Sequence, residues 1–135
     1  IIVLTILILM MLSIRSRLLL WRILMKIPYD IEISKDTVVA VDFDGTLCKS
    51  VFPNCGEPIT EVINAVKEMK RKGATIILWT CREGRTLDIA VEWCRGQGLE
   101  FDYINENCPE RIKSWGNDCR KIGADIYIDD KATFI

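Results

Sequence analysis

The chain has no histidine among its 135 residues. That removes imidazole general bases, phosphohistidine chemistry and most zinc sites. Any acid–base work falls to carboxylates, Lys, Tyr or Cys. A charge excess is also missing: 18 Lys+Arg stand against 19 Asp+Glu, a net charge of -1. That balance gives no sign of a nucleic-acid surface. No two of the six cysteines, at positions 48, 55, 81, 94, 108 and 119, form a C-x-x-C pair, so a zinc or redox motif is not expected. They read as reduced thiols of a cytosolic compartment, in a chain whose regular pattern builds a core without staples. There is no internal repeat and no low-complexity segment, and the length suits one domain with a modest core.

A clean apolar run of the ~20 residues a membrane-spanning helix needs is absent as well. The nearest is Ile1 to Leu12, interrupted only by Thr5. Arg15, Arg17 and Arg22 follow around a second apolar patch, Leu18 to Trp21. A signal peptide would place its charges before the apolar run and a small-residue cleavage site after it, and neither is there. Residues 1–25 therefore carry two readings. One is the remnant of a membrane anchor, its basic residues holding the rest on the cytoplasmic side. The other, which we favour, is upstream sequence translated ahead of a start at Met25. Residues 26–135 read as one self-sufficient domain, cytoplasmic unless 1–25 is a real anchor.

What is present is organised around Val38-Val39-Ala40-Val41-Asp42-Phe43-Asp44-Gly45-Thr46. It opens as an apolar, β-branched run, as a strand buried on both faces does. It ends in two carboxylates that share a face if the strand continues through them. Buried acids at a strand end are costly unless they bind a cation or do chemistry. The plainer reading is a strand running out into a solvated Asp-Gly turn.

The pattern downstream alternates. The spacing predicts strand one over 37–43, then a loop or small hairpin over 47–58 with two prolines and a glycine. A helix follows, with Ile59, Val62, Ile63, Val66 and Met69 on one face and Gly73 as its stop. Strand two covers 74–79. A second helix turns Leu87, Ala90, Val91 and Cys94 inward, and strand three covers 101–104. Residues 105–123 allow at most a short helix, and strand four covers 124–128. Such alternation implies an α/β domain with a mainly parallel sheet covered on both faces. Ligands bind such sheets at the edge where the strand carboxyl ends gather. Asp42 and Asp44, Thr80 and Arg82, Asn105 and Asn107, and Asp129 and Asp130 all leave strands at that edge. A second acid pair at a strand end is hard to ascribe to chance.

Hard carboxylate oxygens without His or thiolate partners suit Mg²⁺, completed by a substrate phosphate. One acid can act as a nucleophile through an aspartyl phosphate. Another can shuttle the proton, its pKa raised by acidic neighbours. Thr80, a backbone N–H near Gly45 and a lysine could donate to the phosphoryl oxygens.

These residues resemble the motifs of the haloacid dehalogenase-like superfamily. Asp42-Phe43-Asp44-Gly45-Thr46 is similar to its first motif, Leu78-Trp79-Thr80 to its second, and Ile128-Asp129-Asp130 to its fourth. The wording over 79–84 and 126–131 looks like the small, capless hydrolase-like proteins of bacteria and their phages. The resemblance spans about Thr37 to Lys131. It implies a three-layer Rossmann-like domain, strand order 3-2-1-4 counting the four strands above, and no cap domain, since no large insertion follows strand one or separates strands two and three.

The resemblance also implies roles. Asp42 would be the nucleophile and a Mg²⁺ ligand. Asp44 would be the general acid–base, with its backbone carbonyl on the metal. Asp129 and Asp130 would complete the ligands. Gly45, Thr46 and Thr80 would hold phosphate, and Arg82 would contact substrate, its alternative being a solvated pair with Glu83 or Asp88. For the lysine motif the match leads to Lys121 over Lys113, the alternative for either being a solvated surface charge. The implied activity is a Mg²⁺-dependent phosphohydrolase acting on a small-molecule phosphate ester such as a nucleotide or sugar phosphate. The rivals are a phosphotransferase or mutase on the same scaffold and a non-catalytic Mg²⁺- or phosphate-binding interaction module. The reading leaves room for a further helix or strand beyond Ile135.

Overall fold

Four consecutive apolar residues, Val38–Val41, form β1, and all four are buried. A strand covered on one face would bury every second residue; this one is covered on both. The alternation sorts its side chains into two clusters. Val39 and Val41 pack with Ile63, Val66, Ala90 and Cys94. Val38 and Ala40 pack with Cys108 and Ile122. The computed structural model describes residues 32–132, of which those from Ile33 onward belong to one compact unit. Residues 1–25, with the anchor and upstream-translation readings, lie outside the described residues.

The chain then runs as β2 (Cys48–Val51), β3 (Asn54–Pro58), α1 (Thr60–Arg71), β4 (Thr75–Leu78), α2 (Gly84–Gly96), β5 (Tyr103–Ile104), α3 (Pro109–Trp115) and β6 (Ile126–Ile128). The fold is mixed α/β. β1, β4, β5 and β6 form one sheet in the order β5-β4-β1-β6, and every pairing in it is parallel. Val41 lies opposite Leu78 and Ile128, so these strands end level at one edge. β2 and β3 make a separate antiparallel hairpin, which settles the 47–58 stretch as a hairpin.

The helical spacing is expressed as burial. In α1, Ile63 and Val66 are buried, with Val62 and Met69 packed partly against the same cluster. Its basic last turn, Lys70 and Arg71, complements the carbonyl end of the helix. Gly73, at φ 99°, turns the chain into β4 as the Ala74 N–H bonds the Met69 carbonyl. Ala90 and Cys94 of α2 enter the same cluster, so both helices cover one sheet face.

The other face is covered by the 105–125 crossover. α3 contributes no buried residue. The segment is instead tied by Asn107, whose side chain donates to the Asp118 carboxylate and the Cys119 carbonyl and accepts the Gly123 N–H. The regular strands are shorter than the apolar runs suggest: β1 stops at Val41 and β5 holds two residues. Among the described residues no helix is long and apolar enough to cross a membrane.

Candidate active site

The ladder between β1 and β6 continues one step past β1, as the Asp42 N–H donates to the Ile128 carbonyl at 2.9 Å. That bond sets Asp42 beside the chain leaving β6, which is Asp129-Asp130. Ligand oxygens of Asp42, Asp129 and Asp130 all lie within 4.8 Å of one another. Burial raises the Asp42 pKa from 3.8 to about 6, helped by Asp129 and Asp130 and opposed by hydrogen bonds from the Phe43 N–H and Thr46. Lys131 approaches from outside, its ammonium 2.8 Å from Asp130 Oδ2, and the three acids raise its pKa, Asp130 foremost.

The donor set fits a hard cation. All ligand atoms are carboxylate oxygens. A span of 4.8 Å equals two opposed bonds of about 2.4 Å, and a slight contraction reaches the ~2.1 Å bonds of Mg²⁺.

The loop after β1 departs from the expected alternation. Because the strand ends at Val41, Asp42 and Asp44 do not share a face. The Phe43 carbonyl accepts the N–H groups of Thr46, Leu47 and Cys48, which closes a tight turn. Gly45 sits at φ +88°, and a Cβ there would lie 2.5 Å from Asp130 Oδ2. Its N–H, expected on phosphate, donates to the Cys48 carbonyl. Thr46, also expected on phosphate, is buried. Its hydroxyl donates to Asp42 Oδ2 at 3.2 Å and accepts the Asp130 N–H at 2.9 Å. Thr46 therefore clamps the two acidic loops together.

Asp44 turns away from the acid cluster to Arg82. The guanidinium meets both carboxylate oxygens, Nε to Oδ2 at 2.7 Å and Nη2 to Oδ1 at 2.8 Å. Its other N–H groups donate to the carbonyls of Pro53, Asn54 and Thr86. Arg82 is 2 % exposed. It is neither a substrate contact at the rim nor a solvated partner of Glu83 or Asp88, because every N–H it carries is spent inside the protein.

Thr80 follows β4 at the same edge. Its N–H donates to Asn105 Oδ1 at 2.8 Å, and its hydroxyl accepts the Arg82 N–H at 3.2 Å, which leaves the hydroxyl proton to donate outward. Asn105 reaches this position from a left-handed backbone, φ 53°, and also donates to the Arg82 carbonyl. Lys121 makes no ion pair with the acid cluster; its ammonium lies 5.3 Å over the Tyr127 ring. Lys113 is exposed in the last turn of α3. The six cysteines are unpaired. Burial holds the thiols of Cys48, Cys55 and Cys94 above their usual range, Cys94 at about 12, so these three are poor nucleophiles.

Sequence reasoning did not foresee the partners of three residues here. Arg82 pairs with an acid 38 positions earlier, which no local pattern announces. Asn105 reads as a turn former and also supports Thr80. Lys131 brings a cation to the acid cluster, and its adjacency to Asp129-Asp130 was the available signal.

No family model matches the chain, and no curated protein matches it. Among solved structures it is similar to a conserved protein from Bacteroides thetaiotaomicron, with 41% sequence identity, a TM-score of 0.63, and coverage of 71% of this chain and 77% of that one. At that identity and coverage the two share more than a fold: this chain belongs to the same family as that conserved Bacteroides thetaiotaomicron protein.

Proposed function

We propose that the chain is a Mg²⁺-dependent phosphohydrolase on a capless, Rossmann-like domain of the haloacid dehalogenase-like type, with the layering that implies. The observation that carries this reading is the gathering of Asp42, Asp129 and Asp130 at the carboxyl edge of a parallel sheet, with Thr80 leaving the neighbouring strand. Asp42, Asp129 and Asp130 would hold Mg²⁺, with the Asp44 backbone carbonyl, and the ion would offset phosphate charge. Asp42 attacks the phosphorus of a small-molecule phosphate ester and forms an aspartyl phosphate. Thr80 donates to a phosphoryl oxygen. Asp44, held through both oxygens by Arg82, would have to free one oxygen from the guanidinium to give the leaving oxygen its proton and then take a proton from the attacking water.

The experiment is phosphate release from a panel of phosphomonoesters, nucleotides and sugar phosphates included, with Mg²⁺ or with EDTA. Release that needs Mg²⁺ and vanishes in Asp42→Asn is expected. A folded Asp42→Asn variant with undiminished release overturns the reading. A non-catalytic Mg²⁺-binding module is the second reading, favoured by Lys121 lying over Tyr127. Mg²⁺ binding without release from any ester would select it.

A further inference from the structure

We propose that Arg82 is a positioning residue that joins the β2–β3 hairpin and the Asp44 carboxylate into one unit, so that the seating of the hairpin decides where Asp44 points. What Asp44 does there rests on the phosphohydrolase reading; the coupling itself does not. Arg82 holds three segments at once. It grips both oxygens of Asp44, the hairpin-turn carbonyls of Pro53 and Asn54, and the Thr86 carbonyl in the first turn of α2. The guanidinium lies 4.7 Å from the ring centre of buried Phe43 and 5.3 Å from that of Phe52 on the hairpin.

A planar fork with five fixed donors cannot follow one partner without turning on the others. If the hairpin lifts, Arg82 loses two acceptors and one ring face, and water reaches the guanidinium. The grip on Asp44 then loosens, because charged pairs weaken as their surroundings fill with water. The converse also holds: without its carboxylate the fork no longer pins the hairpin. Phe52 is 64 % exposed and Val51 49 %. The tip of the unit thus stands in solvent beside the acid loop, where a bound substrate could press on it and shift Asp44.

Hydrogen exchange of the full chain tests the coupling without any substrate. Asp44→Asn keeps the shape and removes the charge. Arg82→Lys keeps the charge and removes the fork. Each is expected to speed exchange of the amides over 48–58 by about tenfold, whereas Asp42→Asn leaves them within twofold. Hairpin amides exchanging at wild-type rates in Asp44→Asn overturn the proposal, whether or not Arg82→Lys folds. Turnover supplies the second readout: Arg82→Lys should lower kcat at least tenfold with KM and Mg²⁺ affinity within twofold. A loss shared equally by KM or by Mg²⁺ affinity marks a merely structural role and overturns it. If the wild-type protein hydrolyses nothing, the phosphohydrolase reading falls, and the exchange rates alone decide the coupling.

Discussion

Asp42→Asn should stabilise the metal-free protein at neutral pH, although it removes the residue on which the proposed chemistry depends. The Asp42 pKa stands at about 6 against an ordinary 3.8. Each unit corresponds to about 1.36 kcal/mol, so the ionised group costs the fold at most about 3 kcal/mol. Asp42 is only half-buried and water screens it, so about 1.5 kcal/mol is the working figure. The folded state holds more protons than the unfolded state between the two pKa values. Stability from this group is therefore full below about pH 4, is lost as pH rises to about 6, and is flat above. Asparagine removes that dependence and keeps a carbonyl oxygen for the Thr46 hydroxyl. Urea unfolding of both proteins in EDTA across pH 4–8 is the assay. The variant should gain about 1–2 kcal/mol at pH 8 over its relative stability at pH 4. Saturating Mg²⁺ should reverse the ranking, since a ligand at a hundredfold its Kd stabilises only the protein that binds it, by about 2.7 kcal/mol. A variant less stable than wild type at pH 8 in EDTA, or a difference that does not change with pH, refutes the reasoning.

Three other outcomes are expected. Mg²⁺ affinity, measured by calorimetry, should rise about tenfold per pH unit up to about pH 6 and level off above it, because Asp42 must lose its proton to become a ligand. Gly45→Ala should cost about 1–3 kcal/mol in urea unfolding and weaken Mg²⁺ binding, since it strains a positive φ and drives a methyl into the Asp130 carboxylate. Lys121→Ala should leave stability within about 0.5 kcal/mol and turnover within about threefold, as its ammonium rests on Tyr127; a hundredfold loss of kcat would return Lys121 to the reacting phosphate.

The α/β class and the parallel sheet were legible because burial leaves a periodic trace. Val38–Val41 and Ile76–Leu78 are continuously apolar because both sheet faces are covered, and Ile63 and Val66 recur at helical spacing because one helix face is. The strand-end positions of Asp42 and Asp129 were legible for the same reason, since an acid after an apolar run marks where burial stops. The crossover over 105–123 left little trace, because it is held by the polar side chain of Asn107.

By itself, the sequence determined which residues stand at the carboxyl edge of the sheet, since the place of each strand and the order of crossovers follow from local pattern. Only the tertiary structure decided how those residues divide. Asp42 joins Asp129 and Asp130 across the β1–β6 ladder, while Asp44, two residues on, turns to Arg82 under the hairpin. Gly45 and Thr46 spend their hydrogen bonds holding that loop. The physical reason is that alternation along a strand ends with its ladder. Beyond Val41 each side chain is directed by turn hydrogen bonds and by partners up to 84 positions away, and a linear pattern carries no record of which distant partner is met.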